Sequence, residues 1–313
     1  MNEEWLARQF RGTTVSEVVR DCGWIHTAGG TGVSLSLFAR CGDHRLTKDV
    51  FEVPAVRDSM MLVHRDDVSL ALAAARKTFA DRLRKLDLDM REIDRTAETI
   101  GSLSAAMSIE EIRREVPSRS LGEPGRKLGL TSTLVVALRV AQLNGLIVRD
   151  SENRYHRAPF RTKPVDDLEH ELAKRFVEWA APTNADEFAS WAGIGKRAAA
   201  KALQDLIPSN RATQQPRNPI HFLPFRDNYT WFHRLEPTHH HTIVVDGEVR
   251  GWFEYDGDQL AWRMRDGKRP RDVAKVAEKV ETFIRESLGD LRHYAADNEK
   301  NRAARVAWVR GDA

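Results

Sequence analysis

Five basic side chains crowd the short run Arg263–Arg271 (RMRDGKRPR) against one acid, Asp266. Such a local excess of charge attracts a polyanion, and Arg263, Arg265, Lys268 and Arg269 are the natural phosphate contacts. A solvated loop would carry the same charge. The chain as a whole is only +3, but 37 of its 49 basic residues are Arg. The guanidinium fork suits phosphate oxygens, although a GC-rich genome produces the same bias. Asp227 and Arg234 flank the aromatic run NYTWF, whose Tyr229 and Trp231 offer faces for stacking on a sugar or base; burial in a core is the commoner fate of such rings. His239-His240-His241 looks metal-seeking. Successive strand residues point to opposite faces, however, and no nearby cysteine or paired carboxylate completes a ligand set, so neither metal nor cofactor is expected. The glycine-rich GGTGVS (29–34) follows no strand and lacks the lysine of a phosphate loop.

The elements that must position these groups read as short helices broken by turn signals. Thr14 and Glu17 have capping-box spacing before Val15, Val18 and Val19; helices are expected over 33–40 and 66–84, and a charged connector helix after them. Ser108 and Glu111 repeat the capping box. A Gly/Pro loop (SLGEPGRKLG) follows, then a helix carrying Leu134, Leu138 and Ala141 that stops at Gly145, then LIVRD-SEN-RYHR as a hairpin. Helix, loop, helix, hairpin is the winged-helix order; its second helix offers Arg139, preceded by Arg126 and Lys127, to a DNA groove. A similar unit follows: one helix marked by Leu168, Leu172, Phe176 and Trp179, one capped by Asn184 and Glu187, and one opening at Lys196 and Arg197. A helix N-terminus also favours phosphate.

From about 219 the pattern turns to β, with Asp246-Gly247 and Asp256-Gly257 as type I′ hairpin signals. An amphipathic helix through Val273, Val276, Val280 and Phe283 follows, then a polar tail. The fold class expected is therefore α+β and mostly helical: tandem winged-helix domains, a small antiparallel β-barrel or meander, and a C-terminal helix. The boundaries are 1–100 with a connector helix, 101–162, 163–212, 213–271 for the β module, and 272–313 for the helix and tail. Two cysteines, Cys22 and Cys41, imply reduced thiols in a cytosolic protein. No apolar run reaches ~18 residues and the N-terminus lacks the build of a signal peptide, so a cytoplasmic, nucleoid-associated monomer without membrane contact is expected.

Four segments in this order resemble the AlkZ/YcaQ family of winged-helix bacterial DNA glycosylases: VVRDCGWIHTAGGTGVSLSLFAR, VRDSMMLVHRDD, LAKRFVEWAAPTNADEFASWAGI, and FLPFRDNYTWFHR with IVVDGEVRGWF. The resemblance implies a cleft around damaged duplex DNA and excision of alkylated or crosslinked purines. Arg40, in the Ala-Arg that ends the first segment, is a further candidate for DNA contact, with Tyr229 and Arg234. It also implies a Gln-x-Gln pair that holds the attacking water. Here that motif reads His26-Thr27-Ala28. His can position or deprotonate water near neutral pH, Ala28 has no polar atom, and Thr27 stands between them. In the second segment Arg57 is kept, while the family's Gly becomes Asp58, its Thr becomes Ser59 and its His becomes Met61. His26, Thr27, Arg57 and Ser59 are the catalytic candidates. The alternative is a lesion sensor or regulator that binds DNA on the same scaffold without catalysis.

Overall fold

The structure is a computed structural model and describes residues 9–10, 12–27, 30–150, 152–206, 220–232, 239–293 and 297–312. The chain forms two compact units. The first gathers 1–47, 173–190 and 194–313; the second is 48–172 with 191–193. Helix is the larger share of an α+β fold with two antiparallel sheets.

The first unit opens with α1 (Val15–Asp21), whose Thr14–Glu17 capping box is formed in both directions and whose valines are buried. A two-residue strand β1 (Ile25–His26) and helix α2 (Gly32–Cys41) follow. His26 is thus on a strand.

The second unit begins with β2 (Val50–Pro54) and β3 (Met60–His64), paired from Val50↔His64 to Pro54↔Met60. Neither strand was expected from periodicity. β2 is buried at four of five positions and β3 at its last four, so no apolar–polar alternation betrays them. The long helix α3 (Val68–Leu83) agrees with the expected 66–84, and α4 (Met90–Gly101) is the charged connector. α5 (Ile109–Glu115) carries the Ser108–Glu111 capping box. The expected loop after it contains a short helix, α6 (Gly122–Lys127), which leads to α7 (Thr133–Leu143). Gly145 then takes φ +68°, and β4 (Ile147–Arg149) pairs with β5 (Tyr155–Arg157). Within this unit the strand order is β3-β2-β4-β5, and Arg149 faces Glu52 at 2.7 Å across β4 and β2. Leu134, Ala137, Leu138 and Ala141 of α7 pack with Ile93, Ala97 and Ile100 of α4 in one core.

The chain continues through α8 (Leu168–Ala180), α9 (Ala185–Ala192) and α10 (Lys196–Ala202). Glu187 and Asn184 form the reciprocal cap before α9. The second sheet has the order β6 (Ile220–Leu223), β7 (His241–Val245), β8 (Glu248–Tyr255), β9 (Leu260–Met264), with the short helix α11 (Asn228–Trp231) between its first two strands. Asp246 and Gly247 have φ +49° and +81°, as a type I′ turn requires. The second Asp-Gly does not make a two-residue turn: β8 ends at Tyr255, β9 starts at Leu260, and Asp256 Oδ1 accepts from the amides of Asp258 and Gln259. α12 (Val273–Phe283) covers one face of this sheet and runs on as a π turn to Leu288; α13 (Glu299–Arg310) packs Val306 and Val309 beside Ala261. Among the described residues, no helix is long and apolar enough to cross a membrane.

Candidate active site

Within the first unit, His26 lines a small cleft with about 20 Å³ of cavity volume together with Ser36, Pro224, Phe225, Arg226 and His293. That is room for a single water. The N-terminal turn of α2 forms one wall, and a Cβ on Gly32 would stand 3.4 Å from Pro224. The His26 ring meets the edge of Trp231 at 5.7 Å. Arg226, at φ +64°, is exposed beside the Phe225 ring.

The cavity walls are tied together by a buried ion pair. Arg40 of α2 donates to Asp227 through both terminal nitrogens (2.8 and 2.7 Å), and both side chains are 1% exposed. Ser36 Oγ donates to the same carboxylate at 2.5 Å, and Arg40 Nε donates to the Gln9 carbonyl. Burial works against the charged carboxylate, but the Arg40 charge and these hydrogen bonds outweigh it and hold Asp227 below its ordinary range. Arg40 was expected on DNA. Its guanidinium is instead consumed inside the protein, where it fixes α2 against the Pro224–Asp227 loop. Tyr229 is likewise no stacking face: it is fully buried, and its hydroxyl donates to the Gly247 carbonyl.

Behind the cavity lies a charged cluster that the sequence reading missed. Glu254 of β8 is 1% exposed, and its Oε1 meets His293 Nε2 at 3.0 Å and His240 Nδ1 at 3.1 Å. Its Oε2 lies 3.3 Å from Arg305 Nε, and Asp297 pairs with Arg305 from α13's approach at 2.5 Å. The histidine run therefore does have a nearby carboxylate, supplied by the adjacent strand. His241, Glu254 and His293 present ligand atoms within 4.8 Å of one another. The chemistry of His241 opposes a metal there: its Nδ1 accepts from the Phe225 amide at 2.8 Å, so its proton sits on Nε2, the atom turned toward Glu254. A metal-bound imidazole needs the reverse, an acceptor opposite its other nitrogen. Burial, then the neighbouring His293, lowers His241 to about 3, so it is neutral. Burial would raise Glu254, but His241 and the hydrogen bonds from His240 and His293 hold it well below the usual carboxylate range.

In the second unit, Arg57 and Asp58 both adopt left-handed backbone, φ +59° and +55°. This conformation suits glycine, which accounts for the Gly of the resembling segment; Asp is among the few side chains that tolerate it. Asp58 is buried, pairs with Arg82, and lies 3.5 Å from Arg139 Nε. Burial raises the Asp58 carboxyl against the pull of Arg139 and Arg82. Arg139, expected in a DNA groove, is mostly covered and spends its charge on Asp58, with Nη1 2.9 Å from the Met60 sulfur. Arg57 packs beside Gly193, and Ser59 ends the corner with its backbone bonded to Val56 and Ala55. Met61 is fully buried.

The remaining basic candidates are on the surface. Arg126 and Lys127 are exposed on α6, Lys127 pairing with Glu123; Arg197 is exposed at the start of α10, and Lys196 pairs with Asp186. Arg263 lies over Trp308 (4.2 Å) and Trp252 (5.7 Å), Arg265 over Trp252, and Arg269 over Trp262, forming a basic–aromatic strip with exposed Lys268. Thr27 follows His26 at the edge of the described segment, whereas Ala28 and Arg234 fall outside the described residues.

The fold aligns with that of the Streptomyces sahachiroi DNA glycosylase AlkZ at TM-score 0.64, over 93% of this chain and 96% of that one, with 16% identity. The model of the family described as "DNA glycosylase AlkZ-like" matches residues 32–234, and the chain belongs to this family. No curated protein sequence matches it. The matched range starts six residues after His26, so it does not include the cavity's first polar group.

Proposed function

We propose that this protein is a monofunctional DNA glycosylase that removes alkylated or crosslinked purines from duplex DNA, with no metal or cofactor. The observation that carries the reading is the one-water cavity beside His26 in a chain of the AlkZ-like family. Alkylation at N7 or N3 makes the purine a cationic leaving group. The protein then has only to hold a water near C1′ and tolerate oxocarbenium-like charge, which positioning and fixed dipoles accomplish. His26 is assigned to the water, with Thr27 adjacent. Arg57 and Ser59, at the left-handed corner of the other unit, are assigned to the DNA backbone.

In this reading the chain is three winged-helix units (1–100, 101–162, 163–212), a small β-barrel module (213–271) and a C-terminal helix with tail (272–313). Arg126, Lys127, Lys196, Arg197, Arg263, Arg265, Lys268 and Arg269 contact phosphates, and the protein works as a cytoplasmic, nucleoid-associated monomer.

The test is base release. Purified protein is incubated with duplex carrying N7-methylguanine or a nitrogen-mustard crosslink, then heated in alkali. Lesion-dependent strand breaks, abolished in His26→Ala, support the enzyme. The loss of a polar side chain at Ala28 and the burial of Met61 favour one other reading, a lesion-binding protein without catalysis. Tight, salt-sensitive binding without base release would select it.

A further inference from the structure

His293 lines the cavity, and beside its ring stands a buried carboxylate with the geometry of an orienting group. Glu254 Oε1 is 3.0 Å from His293 Nε2, with both side chains at most 2% exposed. A carboxylate beside Nε2 keeps the proton there, so Nδ1 carries the lone pair. Phe225 stacks on the imidazole at 4.7 Å and 13°, which fixes the ring plane. Phe225 belongs to the same short loop that supplies Arg226 and is anchored by Asp227.

We propose that His293, oriented by Glu254, is the general base of the reaction and supplies the polar function lost at Ala28. The inference rests on the glycosylase reading. The cavity water sits between His26 and His293, His26 holding its oxygen and His293 Nδ1 facing one of its hydrogens. As C1′–N9 breaks, its electron pair passes to the purine and cancels the charge of the alkylated ring. The water oxygen bonds to C1′, and its proton moves to His293 Nδ1. The imidazolium that forms is stabilised by Glu254. The products are a neutral base, a C1′ hydroxyl and one proton on the protein. This is the arrangement of carboxylate, imidazole and attacking oxygen found wherever a buried acid sets the tautomer of a basic histidine.

The groups around His293 suit the role. Glu254 faces it from β8, and His241 meets its ring edge-on at 4.3 Å from β7. His240 and Arg305 share the Glu254 carboxylate, and Asp297, from the segment before α13, holds Arg305 and accepts from the His293 amide at 3.4 Å. His26 and Arg226 line the same cavity. The carboxylates outside the cavity are thus already paired, so Glu254 remains a fixed anion behind the ring.

The experiment is single-turnover release of N7-methylguanine from duplex DNA, across pH, by the full-length protein and its His293→Ala, His293→Gln and Glu254→Gln variants, with thermal melting and duplex affinity measured in parallel. His293→Ala is expected to lose about a hundredfold in rate, the scale of a missing general base, with affinity unchanged. His293→Gln, which can hold water but not take its proton, recovers less than a tenth of the wild-type rate at ~pH 7. Glu254→Gln removes the anion that sets the His293 tautomer, so the rate falls and the pH dependence of release changes with it. If His293→Ala does not fold, the nearly isosteric glutamine variants decide. A wild type that releases base while folded His293 variants stay within twofold of it at every pH overturns this inference and leaves the glycosylase reading intact. A wild type that releases no base overturns both.

Discussion

Arg40 and Asp227 are separated by 187 residues in sequence and by 2.7 Å in space, and neither side chain retains more than 1% of its surface. The pair joins α2 to the loop that carries Pro224, Phe225 and Arg226, so it determines whether the cavity beside His26 exists. Removing one partner of such a pair leaves an uncompensated buried charge. Arg40→Ala is expected to cost about 3–5 kcal/mol in urea unfolding, whereas a merely supportive surface pair would cost under ~1 kcal/mol.

His241 gives stability a pH dependence of definite sign. Its folded value, about 3, is below the ordinary 6.5, so the unfolded chain takes up a proton that the folded one refuses. Stability from this group is complete above 6.5 and is lost as pH falls from 6.5 toward 3, at up to about 1.4 kcal/mol per unit. In His241→Asn, whose side-chain oxygen can still accept from the Phe225 amide, that slope disappears. Equal slopes in the two proteins would refute the assignment.

The basic–aromatic strip predicts salt behaviour. Arg265 and Lys268 are exposed; alanine at Lys268 removes charge with little packing loss, while at Arg265 it also uncovers part of Trp252. Each substitution should weaken duplex binding about equally for all sequences and reduce the log–log salt slope by about 1. Unchanged slopes would take the strip out of the interface. Arg263 is a less clean probe, because its guanidinium also covers Trp308 and Trp252.

Gly193 sets the position of Arg57. It has φ +70°, and a Cβ there would come within 2.6 Å of Arg57 Cγ. Gly193→Ala therefore costs about 1 kcal/mol in backbone strain and pushes Arg57 aside. If Arg57 touches DNA, the affinity of Gly193→Ala should fall as far as that of Arg57→Ala; wild-type affinity in the glycine variant would remove Arg57 from the interface.

Local signals were legible in the sequence because they act over a few residues. The capping boxes at Thr14 and Ser108, the Asp246-Gly247 turn and the helix stop at Gly145 are all formed as read. β2 and β3 were not legible, since strands covered on both sides lose the alternation that marks a half-exposed one. The fate of charges was hardest to read. Arg40 and Arg139 look in sequence like any DNA-facing arginine, and only the distant carboxylates Asp227 and Asp58 reveal that their charges are used internally. Glu254 and His293, 39 residues apart, carry no spacing motif at all. The backbone at Asp58 was half legible: the family's glycine marks a special conformation, but not that an aspartate could occupy it by pairing with Arg82.

The first unit is discontinuous, drawing on 1–47, 173–190 and 194–313, whereas nearly all of the second is the single stretch 48–172. On a ribosome these two cannot mature together. The second unit has all of its chain but 191–193 once residue 172 has emerged, and domains generally fold as units in the order they are made. His293 is made 267 residues after His26, so the cleft they both line is completed long after residue 172 has been added. Nascent chains halted shortly after Leu172 should resist protease over 48–172 while remaining cleavable near His26. On the proposed glycosylase reading, a chain halted before His293 lacks the cleft's second histidine and releases no base.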